Sequence, residues 1–385
     1  MSTLLIFSIT LVVAVLISEL TQRTVLSTAV LFLGVGFVVG PQMLALTTLT
    51  PTQPAIQNLA TLALFSVLFT DGMEIGLGEL RGAWRLPGRA LLLGMPLTFG
   101  AIAVLAKWLG GLNWTDAFLI GAILSPTDPV FAEAIVGREQ VSAQLRNLLN
   151  VESGLNDGLA LPVVVILLAL TDSSRLDIAR LAVDLAMGVA FGVALPWTFA
   201  RLERTRFFAT STLYEPLGPV GIGISLLALC RVTGANQFLA AFIGGMTMAS
   251  VNPAARDAFH KFGKLITELL KLAALLTFGA LVTPSLLASD GVAGWSFAVG
   301  VIVLARPVAI AISLHRSTLG WREQASAAWF GPKGFASVVY GLLVLESARP
   351  SSHRIFALTV VTVTLSIVAH SSTDIVVARW LEKER

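Results

Sequence analysis

Apolar runs of about 20 residues, the length a helix needs to cross roughly 30 Å of hydrocarbon, recur along this chain almost without pause. Broken by glycine, proline and charge, they cover residues 3–20, 25–40, 56–74, 89–109, 115–134, 148–170 and 179–200, then 213–232, 235–250, 262–283, 294–314, 325–346 and 355–377. That makes about thirteen spans, the second and ninth being the shortest. Only 13% of the 385 residues are charged, about half the share of a soluble domain. The pattern predicts an all-α polytopic membrane protein, one membrane unit over residues 1–385 with no soluble domain of any size.

The loops carry the orientation. If the loop after the third run is cytoplasmic, the loops on its side hold about 17 Lys and Arg against 6 on the other, as the positive-inside rule requires. The N-terminus is then outside, the C-terminus is cytoplasmic, and a bacterial inner membrane is the expected location. The first run has no basic n-region and outlasts a cleavable signal, so it reads as a retained helix. The basic residues are scattered and the formal net charge is +3, so nothing suggests a nucleic-acid partner. Cys230 is the only cysteine, so no disulfide framework or cysteine metal site exists. Without GxGxxG, Walker A or HExxH, the chain offers no support for nucleotide-driven pumping, metalloprotease chemistry or a cofactor.

Charges inside the runs stand out, because a charge near the bilayer centre costs roughly 2.5–3.5 kcal/mol on insertion scales and marks a functional site by default. The fifth run contains Ser125-Pro126-Thr127-Asp128-Pro129, and the sixth contains Glu152-Ser153-Gly154-Leu155-Asn156-Asp157. Pro126 and Pro129 have no N–H, so the carbonyls of Ala122 and Ser125 lose their helical donors. Freed carbonyls, the Thr127 hydroxyl and the Asp128 carboxylate form an all-oxygen set suited to a hard cation. Taken alone, the same residues also fit a proline kink with a structurally hydrogen-bonded Asp. In the sixth run Ser153 and Asp157 share a helix face at i,i+4, and Glu152 and Asn156 share the next. The first pair reads as ion-binding, the second as support.

Lys271, Arg306 and Lys333 are the basic residues within runs, and each needs a partner. Glu152 is matched to Lys333, since breaking a buried ion pair costs roughly 3–5 kcal/mol. Glu268 and Lys271 stand at i,i+3 and pair, with Arg306 joining Glu268. Asp71, in LFTDGMEI, either reaches the site or faces water at a helix end. The four histidines, His260, His315, His353 and His370, are assigned to the surface.

A symmetry connects the two halves. Pro126 and Pro129 interrupt the fifth run around Asp128, and Gly331, Pro332 and Gly334 interrupt the twelfth around Lys333. The offset is seven runs, so two repeats of six would be inverted. Interrupted helices at matching positions point to a secondary transporter's site. Where such half-helices cross, Asp128 offsets their positive ends and Lys333 their negative ends. A single carboxylate that holds either a proton or a cation couples the two by competition, which is antiport. Asn156 beside Asp157 cannot ionise, and this favours one cation per proton and electroneutral exchange. A cation channel and a proton-coupled carrier of an organic solute are the alternatives.

These motifs, LFTDGMEI, SPTDPV, ESGLNDG, LARPVAI and GPKG, resemble the monovalent cation:proton antiporters, specifically the NhaP and NHE-like branch with an Asn-Asp pair. The resemblance covers nearly the whole chain. It implies a thirteen-helix inverted-repeat fold with crossed, broken helices and a homodimer in the lipid bilayer. It further implies a core domain over about 89–171 and 294–377 moving like an elevator past an interface domain of about 3–74 and 213–283, with 179–200 as linking helix. Cation coordination falls by resemblance on Thr127, Asp128, Ser153 and Asp157, and structural support on Glu152, Asn156 and the basic residue of the twelfth run. Two departures stand out: Lys333 where relatives often have Arg, and Thr70 followed by Asp71 where some relatives place a Glu one position earlier. The transported ion is Na⁺ by this reading, with K⁺ or Li⁺ as alternatives, exchanged for H⁺.

Overall fold

The computed structural model describes residues 3–19, 27–75, 85–128, 141–171, 178–205, 207–208, 210–347 and 349–382. Every regular element among them is a helix. In chain order these are α1 (Thr3–Leu16), α2 (Thr28–Val39), α3 (Pro54–Glu74), α4 (Arg85–Trp108), α5 (Trp114–Leu124), α6 (Ala143–Thr171) and α7 (Ile178–Glu203). There follow α8 (Leu217–Thr233), α9 (Gln237–Val251), α10 (Pro253–Leu281), α11 (Gly291–Ser313), α12 (Trp321–Trp329), α13 (Phe335–Glu346) and α14 (Ser352–Glu382). Six of the described helices are long and apolar enough to cross a membrane, and six shorter ones are apolar over 10–17 residues. The chain is an integral membrane protein.

Among the described residues each predicted run overlaps helix, the fifth leaving it after Leu124 and the twelfth being interrupted over 330–334. Residues 129–134 of the fifth run, Pro129 included, lie outside the described residues. The largest boundary difference is α10, which begins at Pro253 rather than near 262. Its first turns carry Arg256, Lys261 and Lys264, so a hydropathy window discards them although the helix continues. Short polar caps start several helices. Ser27, Asn113 and Asn236 accept the amides of Val30, Asp116 and Leu239 on their side-chain oxygens, taking up N–H groups that have no helical partner.

Two compact units divide the chain: residues 1–60, 85–156 and 272–385 in the first, and residues 61–84 and 157–271 in the second. In the second, α7 and α9 lie against each other, and Gly72 and Gly245 let the backbones of α3 and α9 approach so closely that a Cβ on either would overlap the other's backbone. Small residues of this kind serve helix contact where lipid removes the hydrophobic drive. Glu268 and Lys271 pair on α10 at 2.6 Å, as their spacing predicts.

In the first unit α4 and α11 pack together, and each contains one π-helical turn, Ala90–Gly94 and Val301–Ala305. Each π turn runs straight into a proline-containing first turn, at Met95-Pro96 and Arg306-Pro307. Proline removes an N–H and crowds the carbonyl four residues back, and a wider turn relieves that crowding. In α11 the consequence reaches the site, because Arg306 is the first residue after the wide turn.

Candidate functional site

Two helix breaks meet in the first unit. Helix α5 ends at Leu124, and residues 126–128 leave it without regular structure; α12 ends at Trp329 and α13 resumes at Phe335. The breaks bond to each other through backbone and carboxylate. The amide of Asp128 donates to the carbonyl of Pro332 at 2.9 Å, and the amide of Phe335 donates to Asp128 Oδ2 at 3.1 Å. Gly334, the residue before α13, has no side chain to cap with, so Asp128 supplies an acidic cap from the other break at the helix's positive end.

Lys333 answers at a negative end. Its Nζ donates to the carbonyls of Ser125 and Pro126, both at 3.3 Å, where α5 terminates. Ser125 is the carbonyl that Pro129 leaves without a helical donor, and that of Ala122 accepts the Ser125 hydroxyl at 3.1 Å. The crossed charges thus sit as the half-helix argument places them, and the carbonyls of Ala122, Ser125 and Pro126 each accept a donor from the protein's own hydroxyl or ammonium.

Glu152 is not the partner of Lys333. Its carboxylate takes both guanidinium branches of Arg306, Nη1 to Oε1 at 2.6 Å and Nη2 to Oε2 at 3.2 Å, with both side chains about 5% exposed or less. The planar fork of arginine matches a carboxylate in a way a lysine cannot. Arg306 Nη2 also donates to the carbonyl of Phe330 at 3.1 Å, which ties α6, α11 and the second break together. This corrects the pairing of Arg306 with Glu268 as well. The signal that could have found it was the arginine itself, set inside an apolar run, with a buried acid still to be matched five runs earlier.

Asn156, on α6, donates its Nδ2 to Thr127 Oγ1 at 2.6 Å and to Thr127 O at 3.2 Å. Among the described residues its buried Oδ1 has no hydrogen-bond partner. Thr127 is 2% exposed, so the amide fixes both oxygens of the residue preceding Asp128. Ser153 and Asp157 are buried on the same helix, one turn apart. Asp157 and Asp71 fall within the second unit, Asp71 half-buried.

The break itself is built around two missing side chains. A Cβ on Gly331 would fall on the Arg306 guanidinium, and one on Gly334 would fall on the Asp128 carboxylate. Gly334→Ala should therefore push Asp128 off the α13 amide, whose charged hydrogen bond contributes roughly 1.5–3 kcal/mol. The expected result is a lower melting temperature in detergent together with loss of transport. An alanine variant that melts and transports like the parent would show that this contact is not needed.

His370, assigned to the surface from sequence, is buried at 2% exposure. The misreading came from treating residue 370 as near a span end, whereas α14 continues to Glu382.

A model of the family described as "Sodium/hydrogen exchanger, transmembrane" matches residues 7–379. Among curated proteins, the K(+)/H(+) antiporter NhaP of Alkalimonas amylolytica is 26% identical over 99% of this chain and 67% of its own length. The K(+)/H(+) antiporter NhaP2 of Shewanella oneidensis is 25% identical over 97% of this chain and 66% of its own. The chain thus spans about two thirds of the relatives it matches. The fold is similar to that of the sodium proton antiporter MjNhaP1 from Methanocaldococcus jannaschii, with a TM-score of 0.79 at 20% identity over 99% of this chain and 97% of the other.

Proposed function

Because the chain belongs to the transmembrane sodium/hydrogen exchanger family, we propose that it is a secondary active transporter exchanging a monovalent cation for H⁺. In this reading cation and proton compete for Asp157, Asp128, Thr127 and Ser153 are further cation-binding candidates, and Glu152, Asn156 and Arg306 are structural support. The observation that carries this reading is the pair of mutually bonded helix breaks, stabilised by opposite charges, next to an Asn-Asp step inside an apolar helix. Irregular backbone of that kind at membrane depth belongs to substrate paths.

Electroneutral exchange is supported by Asn156, whose amide is committed to Thr127 and carries no charge. The inverted-repeat reading gains a second matched device. The π turn and proline of α4 recur in α11, at the same seven-run offset as the two breaks. A homodimer, an elevator movement and an inner-membrane location with a cytoplasmic C-terminus complete the proposal. Na⁺ is the cation expected from the motifs, and the curated relatives' names put K⁺ beside it.

Everted vesicles with a preset pH gradient test it. Addition of Na⁺ or K⁺ should dissipate the gradient, and collapsing the membrane potential should leave the rate unchanged. Cation current without proton counter-movement would instead mean a channel, and dissipation only by an organic solute would mean a carrier. Li⁺ run in parallel completes the selectivity series.

A further inference from the structure

The exposed side of α11 changes step at its wide turn. Trp295, Val299 and Val303 are exposed at every fourth residue, and so are Leu304, Val308 and Ile312, but the second series starts one residue late. The slip falls inside the π turn Val301–Ala305. A π turn closes on i+5 rather than i+4 and so absorbs one residue, which lets the second series continue the first along one side of the helix.

Arg306 is the residue for which this slip decides most. It lies at i+11 from Trp295 and i+7 from Val299, spacings that share a face in an unbroken α-helix. Without the wide turn the guanidinium would therefore leave from the exposed stripe, where a charge at membrane depth is expensive. One residue corresponds to about 100° of rotation. That rotation carries Arg306 onto the side of Phe297, Val301 and Ile302, all buried, and there it meets Glu152 and the carbonyl of Phe330. The helix stays continuous through the turn, with Arg306 itself at φ −74° and ψ −48°.

Pro307 stands where an α turn would close on Val303. It has no N–H to give that carbonyl, and its ring crowds it; alanine would restore the donor and remove the crowding. We propose that Pro307 is a positioning residue for exchange: it holds the wide turn that aims Arg306 at Glu152 and at the Phe330 carbonyl, and so fixes the residue with which the Lys333 break begins. The inference rests on the antiport reading of that break and adds a residue with no polar side-chain atom. Helix α4 supplies its own control, because Met95-Pro96 repeats the device with a methionine in the place of the arginine.

The test measures melting in detergent for the parent, Glu152→Gln, Arg306→Met and their double variant, each alone and combined with Pro307→Ala. The coupling energy between Glu152 and Arg306 should be present in the parent series, largely lost with P307A, and retained with Pro96→Ala. Coupling that survives P307A, that P96A removes equally, or that is missing from the parent overturns the proposal. Cation-driven proton flux in proteoliposomes gives the functional side. P307A should lower the flux of the parent and leave that of the Glu152→Gln, Arg306→Met protein as it is; an equal fractional loss in both overturns the proposal. A parent without cation-coupled flux would overturn antiport instead, while the melting cycle still reads the aim of Arg306, so the two failures are distinct. Recovery of folded P307A only together with E152Q and R306M would trace the defect to a misdirected charge and support the inference. Recovery in neither background would show that the proline is needed whatever stands at 306, and overturns it.

Discussion

Arg306→Ala should destabilise the folded protein by about 3–5 kcal/mol, the cost of leaving a buried charge unpaired, with transport lost in consequence. Glu152 is 3% exposed and takes both its charged hydrogen bonds from Arg306. The alanine variant leaves that carboxylate stranded and releases the carbonyl of Phe330 at the start of the break. Removing both charges is a different experiment. Exchanging a buried pair for neutral groups of similar size is often close to neutral in stability, so Glu152→Gln combined with Arg306→Met should recover most of the loss. The double variant still lacks the Phe330 bond, and its transport rate should remain well below that of the parent. Melting curves in detergent for the parent, both single variants and the double one give the coupling energy. Additive losses would mean that the 2.6 Å pair contributes nothing of its own. Arg306→Lys adds a sharper arm, because a single ammonium cannot serve both carboxylate oxygens and the Phe330 carbonyl in one plane.

Which parts of this arrangement could be read from the chain follows from the range of the physics involved. The helix breaks were legible because Pro126 and Pro129 remove N–H groups and Gly331 and Gly334 interrupt an apolar run, both local effects. The crossed placement of Asp128 and Lys333 was legible too, since half-helix ends carry fixed signs. What the residues alone could not tell was which acid meets which base. Glu152 and Arg306 are 154 positions apart, and their meeting depends on how α6 packs against α11 after its π turn. Charge counting cannot choose between Arg306 and Lys333; only donor geometry does, and the fork of arginine was an available clue. His370 was missed for another reason. The ending of an apolar run is not the ending of a helix, and α14 continues through polar residues that face a partner rather than water.

Asp157→Asn should reduce cation-driven proton flux to the background of empty vesicles while leaving the fold intact. The substitution keeps size and shape at a site 4% exposed, so melting curves taken alongside flux separate loss of fold from loss of coupling. Two losses then act together. On the proposed reading the cation forfeits a charged ligand, and its affinity should fall. The carboxamide also cannot take up a proton, so whatever cation binding survives on Asp128, Thr127 and Ser153 cannot be coupled. Binding and transport separate these effects: isothermal titration with Na⁺ and K⁺ reads the first, and vesicle pH reads the second. Asp128→Asn provides the contrast. Asp128 Oδ2 caps α13 through the Phe335 amide; the carboxamide oxygen of Asn can still accept that amide but without the charge, so melting should fall modestly as well as flux. Full exchange in the Asp157→Asn protein would remove that carboxylate from the centre of the mechanism and leave Asp128 as the group that carries the proton.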